Sequence, residues 1–195
     1  MTVSLRLVLA AAAALVAAAG GATVPGHAAT APTVVSIQFD DGTADQYGAL
    51  AILNAHGMHA TFYVNSGFVG DSSHMTWAQL GDLYAAGNEI GGHTLTHAHL
   101  KHLKTAEARH QVCDDRVNLF DHGFQPTSFA YPFGSIDAGA EQVVSDCGYN
   151  SGRGVAGVND RRVFGETIPP LDAYATRTPP NPKMGTTLKT LQCYV

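Results

Sequence analysis

Thr33-Val34-Val35-Ser36-Ile37-Gln38-Phe39-Asp40-Asp41-Gly42 is the stretch that decides the fold. Its first seven residues are largely β-branched and apolar and lie between Pro32 and Gly42, so 33–39 reads as a buried strand. The strand ends on two adjacent carboxylates. Neighbours along a strand point to opposite faces, but where the chain turns at Gly42 both aspartates can reach one pocket. Such a pair is costly unless a cation or hydrogen bonds absorb its charge. The plain alternative is a turn or helix-cap Asp-Asp-Gly.

Working outward, 44–56 carries Tyr47, Leu50 and Leu53 at helical spacing and stops at Gly57. A second strand is expected at 58–64. Thr76-Trp77-Ala78-Gln79 has the capping-box pattern, and its helix continues through Leu80, Leu83 and Tyr84 to Gly87. Glu89-Ile90-Gly91-Gly92 is a short extended piece. A longer helix is expected over 105–123, a strand over 127–131 halted by Pro132, a helix over 138–147 and a strand over 149–155. This alternation predicts an α/β fold with a mainly parallel sheet, whose sites gather at the carboxyl ends of the strands. Beyond Gly157 the pattern weakens: 161–182 is rich in Pro and Thr, and 186–195 reads as the start of a helix or strand.

Bulk properties narrow the class. Arg6, the apolar run from Leu7 to Ala19 and the small residues near Gly26-His27-Ala28 read as a secretory signal peptide. The run is shorter than the roughly 20 residues that span a bilayer. Residues 1–28 are therefore assigned to the signal peptide and 29–195 to one domain, destined for the exterior or the cell wall with no stable membrane span. The net charge of −5 is mild and the 11 basic residues are scattered. No basic stripe suggests nucleic acid as a partner. In an oxidising compartment a disulfide is expected among the three cysteines. Cys113 and Cys147 fall on expected helices flanking one strand and are paired here; three reduced, buried cysteines are the alternative.

The chemistry lies in His93-Thr94-Leu95-Thr96-His97. Two histidines four apart lie on one side of a helical turn, although a surface pair at this spacing is common. Helical metalloproteases need a glutamate beside the first histidine; Thr94 stands there, so a base must come from elsewhere. Asp40 and Asp41 can provide it. Two imidazoles and two carboxylates suffice for three metal ligands and a base, the open arrangement of a catalytic rather than structural zinc.

Phe39-Asp40-Asp41-Gly42, Ala60-Thr61-Phe62-Tyr63-Val64, Gly92-His93-Thr94-Leu95-Thr96-His97 and Phe129-Ala130-Tyr131-Pro132-Phe133-Gly134 follow one another in the order of a known family. Over about 34–157 the chain resembles the polysaccharide deacetylases, the NodB-homology enzymes of carbohydrate esterase family 4. The resemblance implies a distorted, incomplete (β/α) barrel that removes N-acetyl, sometimes O-acetyl, groups. It implies Asp41, His93 and His97 as ligands of a divalent metal, zinc preferred, and Asp40 as general base. The Phe133 N–H would hold the oxyanion, and Tyr131 and Pro132 would line the substrate groove, with ordinary packing the alternative for Tyr131 and Phe133. The partner would be an acetylated polysaccharide: chitin, peptidoglycan, an exopolysaccharide or xylan.

Two departures stand out. The family's third motif usually begins with an arginine that orients the base; Ala130 stands there. Arg153 is a candidate substitute, with a solvated arginine as the default. The family's late leucine-x-histidine, which supplies the general acid, has no counterpart, since His122 is the last histidine. Truncation before that strand is the expected cause. Without an acid, catalysis is expected to fall by about 10²–10⁴-fold. That gap leaves two rivals: a silent carbohydrate-binding relative and, more weakly, a metallo-amidase acting on peptides. His99, His102 and His110 are read as helix-surface residues, one of which could line the groove.

Overall fold

The computed structural model describes residues 35–155 and 173–177. The signal segment 1–28 and the stretch 186–195 lie outside them. Strand β1 (Ile37–Phe39) is followed by helix α1 (Ala49–Ala55), β2 (Ala60–Val64), α2 (Trp77–Ala85) and β3 (Glu89–Gly92). Then come α3 (Thr105–Arg109), α4 (Asp115–Asp121), β4 (Ser128–Ala130), α5 (Ala138–Asp146), β5 (Ser151–Gly154) and the two-residue β6 (Thr176–Arg177).

All the strands are parallel and lie in chain order, β1-β2-β3-β4-β5-β6. A doubly wound sheet reverses its order partway; this one does not, which is the winding of a (β/α) barrel. The sheet is a curled half-barrel, the distorted, incomplete barrel expected. Ile37 pairs with Ala60, Phe62 with Ile90, Gly92 with Phe129 and Ala130 with Arg153.

Local chemistry sets the ends of the elements. Thr76 accepts from the Gln79 amide while Gln79 Oε1 accepts from the Thr76 amide at 2.9 Å, so α2 starts in the expected capping box. Asp137 caps α5 through the Ala140 amide at 2.8 Å. Two clusters make the core. Phe62, Leu80, Leu83, Ile90 and Leu119 pack between β2, β3 and the helices beside them. Val112, Phe129, Tyr131, Val144 and Tyr149 fill the other side.

Three expected boundaries move. Val35 and Ser36 are exposed and precede β1, because pairing with β2 begins only at Ile37. The helix expected over 44–56 opens as a 3₁₀ turn, Ala44–Gly48, where the Gln46 amide group is held by the Asp40 carbonyl. The 105–123 helix is broken by a π turn, His110–Asp114, and ends at Asp121. The expected disulfide is present: Cys113, in that π turn, is bonded to Cys147 at the end of α5, with Cα atoms 5.0 Å apart. Among the described residues, no helix is long and apolar enough to cross a membrane.

Candidate active site

Among the described residues, four other than glycine have positive φ: Asp41 (73°), Thr94 (68°), His97 (56°) and Phe133 (59°). They fall on the loops that follow β1, β3 and β4, and all four belong to one site. Backbone in this region is uncommon outside glycine and persists only where its surroundings over-determine it.

The β1 loop separates the two aspartates. Asp41 and Gly42 both have positive φ, so the chain reverses at once, and the Met75 amide donates to the Gly42 carbonyl at 2.9 Å. Asp41 Oδ1 then lies 3.2 Å from His93 Nε2 and 3.1 Å from His97 Nε2. Asp40 looks the other way, toward Arg153 of β5, whose guanidinium donates to Oδ1. Arg153 is only 6% exposed, so the solvated arginine expected by default is not what forms.

The histidines do not share a helical turn. The segment 93–99 is an irregular loop whose backbone groups bond both to side chains packed beneath it and to the backbone of Val64, Gly67 and Gln111. Asn65 Nδ2 donates to the carbonyls of His93 and Thr94. Gln111 Oε1 accepts from both the Thr96 amide and hydroxyl at 3.1 Å, and the Gln111 carbonyl accepts from the Leu95 amide at 3.0 Å. Asp115 Oδ2 accepts from the His93 amide at 3.1 Å while Oδ1 accepts from Ser66 at 3.0 Å. Burial pushes the Asp115 carboxyl up to about 6. The π turn aims Gln111 at this loop, a use of π-bulges that recurs at functional sites. Asn65, Gln111 and Asp115 escape sequence reading. The only available signals were the place of Asn65 just past β2 and the i,i+4 spacing of the other two.

These contacts test the site for a metal. His93 is buried, and its Nδ1–H donates to the Ala130 carbonyl at 2.6 Å. A carbonyl can only accept, so in the neutral ring Nε2 presents a lone pair to the Asp41 carboxylate. Burial, first, and the neighbouring His93 lower the His97 pKa, which favours its neutral ring. Asp41 is held below the usual carboxylate range, first by its side-chain contact with His93, with burial opposing. Where both rings turn lone pairs to that carboxylate, a cation between them satisfies all three groups. The three ligand atoms lie within 4.8 Å of one another. The 3.1 and 3.2 Å separations approach the edge of about 3.3 Å of a tetrahedron with zinc-like bonds of about 2.0–2.1 Å. The Ala130 carbonyl orients His93 as outer-sphere partners of metal-bound histidines do. The residues present fit a divalent ion.

The fourth side is the turn after β4. Pro132 is buried at its start, and Phe133 stands 56% exposed with its ring edge against His97 at 4.3 Å. His99, from the short turn leading to Leu100, stacks on Phe133 at 3.8 Å and 9°. It is the trailing histidine that joins the site. His102 is exposed and His110 pairs with Asp114. The Tyr131 side chain does not face this groove. It is fully buried against Phe129 and over Gly152, where an added Cβ would come within 2.7 Å of its ring. Ordinary core packing describes it.

A parallel half-barrel with a His/His/Asp pocket and a separately held aspartate at its strand ends defines the class. The sequence profile described as polysaccharide deacetylase matches residues 27–152, and the chain belongs to that family. It is 31% identical over 132 residues to a chitin deacetylase of Pestalotiopsis sp., covering 63% of this chain and 42% of that protein. It is 26% identical over 123 residues to an uncharacterised Streptomyces coelicolor protein, 63% of this chain and 48% of that one. The chain thus spans about half the length of these curated relatives. The Streptococcus pyogenes deacetylase PplD, solved with acetate, superposes with a TM-score of 0.70 at 22% identity over 85% of this chain and 71% of that one. BC0361, a polysaccharide deacetylase of Bacillus cereus, gives 0.70 at 18% identity over 82% and 50%. At these identities the two structures show the fold alone.

Proposed function

We propose that this chain is a secreted, metal-dependent deacetylase that hydrolyses acetamide groups on carbohydrate polymers, with chitin-type N-acetylglucosamine chains as the first substrate to test. The observation that carries the reading is the division of labour between neighbours: Asp41 joins His93 and His97 in one pocket while Asp40 is held apart on its rim. The chitin deacetylase relative supports the substrate class. The leader-like residues 1–28 and the Cys113–Cys147 disulfide support export.

Asp41, His93 and His97 would hold the ion, with zinc preferred by this donor set. When bound, it would acidify water and polarise the acetyl carbonyl. Asp40, not itself a ligand, accepts the proton from the attacking water through its carboxylate and returns it to the departing amine as the C–N bond breaks. The Phe133 N–H donates toward the carbonyl oxygen as charge develops there. The exposed Phe133–His99 face offers a flat wall for a sugar ring.

The test is acetate release from N-acetylglucosamine oligomers, with bound divalent ions counted on the same protein. Asp40→Asn is expected to keep the metal content of the wild type and lose about 10²–10⁴-fold in turnover. His93→Ala serves as the metal-deficient control. Full activity in Asp40→Asn would remove Asp40 from the base role.

A further inference from the structure

Ala130 and Arg153 are register partners on adjacent parallel strands, so their side chains leave the sheet on the same face. Ala130, fully buried, stops at its methyl group, and the guanidinium of Arg153 uses the room beside it. Among the described residues the guanidinium makes three contacts. It donates to Asp40 Oδ1, its Nε–H donates to Gln38 Oε1 at 2.5 Å, and it lies 4.8 Å above the Tyr63 ring. Gln38 and Asp40 are two residues apart at the end of β1, hence on one face. In a flat sheet β1 and β5 would be about 19 Å apart, four strand spacings, beyond the reach of an arginine. The contact therefore exists only because the sheet curls.

We propose that Arg153 is the positioning residue for Asp40, its guanidinium held in turn through Nε by Gln38 and faced by the Tyr63 ring. This inference rests on the deacetylase reading above and names the device that aims its base. A buried guanidinium with two separate acceptors has its orientation defined, because its planar fork fixes both bonds at once. The Asp40 carboxylate is thereby held in one orientation beside the pocket of Asp41, His93 and His97, near enough for its charge to act on His97. The same residue also sets the opposite wall: the Arg153 carbonyl accepts from the Tyr131 amide at 2.9 Å, where the Phe133 turn begins. One residue of β5 thus anchors both the base and the turn across from it.

The variants are Arg153→Ala, Arg153→Lys and the double variant Ala130→Arg/Arg153→Ala, read by kcat, KM, bound zinc and a crystal structure. Arg153→Ala is expected to lower kcat about 100-fold, the cost of a misplaced group, with KM within a few-fold and zinc content unchanged. Grafting the arginine onto the neighbouring strand, in register, should recover at least about tenfold of that loss; a purely structural role would gain nothing from it. If Arg153→Ala does not fold, Arg153→Lys carries the test. It keeps the charge but lacks the planar fork that fixes Asp40 and Gln38 in one geometry, so a fall of about tenfold is expected. Unchanged kcat in a folded, zinc-loaded Arg153 variant overturns the proposal. A wild type that releases no acetate defeats the deacetylase reading instead. The crystal structure of Arg153→Lys then still decides: a displaced Asp40 carboxylate supports the positioning role, and an unmoved one removes it.

Discussion

The two loops that form the pocket are built in different ways. The His93–His97 loop is tied down by buried side chains, Asn65, Gln111 and Asp115 taking up its backbone groups, in addition to backbone bonds to Val64, Gly67 and Gln111. The Tyr131–Gly134 turn across from it is held by backbone bonds, from Tyr131 to Arg153 and from Gly134 to Tyr131, both 2.9 Å, and its Phe133 ring stands in solvent. Metal ligands need fixed geometry, and buried side-chain bonds supply it because breaking them strands a polar group. A wall for a polymer needs surface, and an exposed aromatic face supplies that at little structural cost.

The sharpest way to break this contrast is to loosen what lies beneath the first loop. Cys113 sits in the π turn that carries Gln111, and its bond to Cys147 closes a separation of 34 residues. Cys113→Ser/Cys147→Ser should lose ~3–4 kcal/mol in denaturant unfolding by loop-closure entropy. An unchanged midpoint would mean the bond is not formed in the purified protein. Next comes Gln111→Ala, which leaves the Thr96 amide and hydroxyl without their acceptor. It should cost ~1–3 kcal/mol of stability and weaken metal affinity about tenfold through the displaced loop. Metal titration by calorimetry reads the second effect.

The exposed wall should answer differently. Phe133→Ala should raise KM for N-acetylglucosamine oligomers about tenfold with kcat and zinc content nearly unchanged, the mark of binding lost equally from ground and transition states. A fall in kcat alone would instead place the ring in the chemistry. The smallest effect belongs to the loop between β2 and α2. Asp71 is held down to about 2, first by its hydrogen bond to His74 and then by the Ser73 amide. A carboxyl whose folded pKa lies below its unfolded value adds stability above about 3.8 that is lost as pH falls through about 2. Asp71 is fully exposed, so the effect on stability is slight. Carbon-detected NMR should find its midpoint near 2, moving up toward 3.8 in His74→Ala.

The alternation of strands and helices, the capping box of α2, the disulfide and the family were legible in the sequence because each rests on local pattern or on motifs in order. The capping box needs only Thr76 and Gln79, three residues apart. The Phe39-Asp40-Asp41-Gly42 and His93–His97 motifs brought the right residue types to strand ends, and the structure gathers Asp41, His93 and His97 there. The helical turn expected for the histidines failed because side chains from α4 and the π turn outbid local hydrogen bonding. Of the two readings open for Tyr131, groove lining and core packing, its burial gives the second, because an aromatic beside a motif looks the same in sequence whether it faces solvent or core.

The sequence by itself determined which residues can bind a metal or move a proton, and that they sit where parallel strands end. Local chemistry and spacing suffice for that. Only the tertiary structure decided that Asp40 and Asp41 part company and that Arg153, 113 residues downstream of Asp40, lies against the first of them. Those outcomes depend on the curl of the sheet, which brings β5 to β1, and curvature is a property of the packed strands together that no short stretch of sequence encodes.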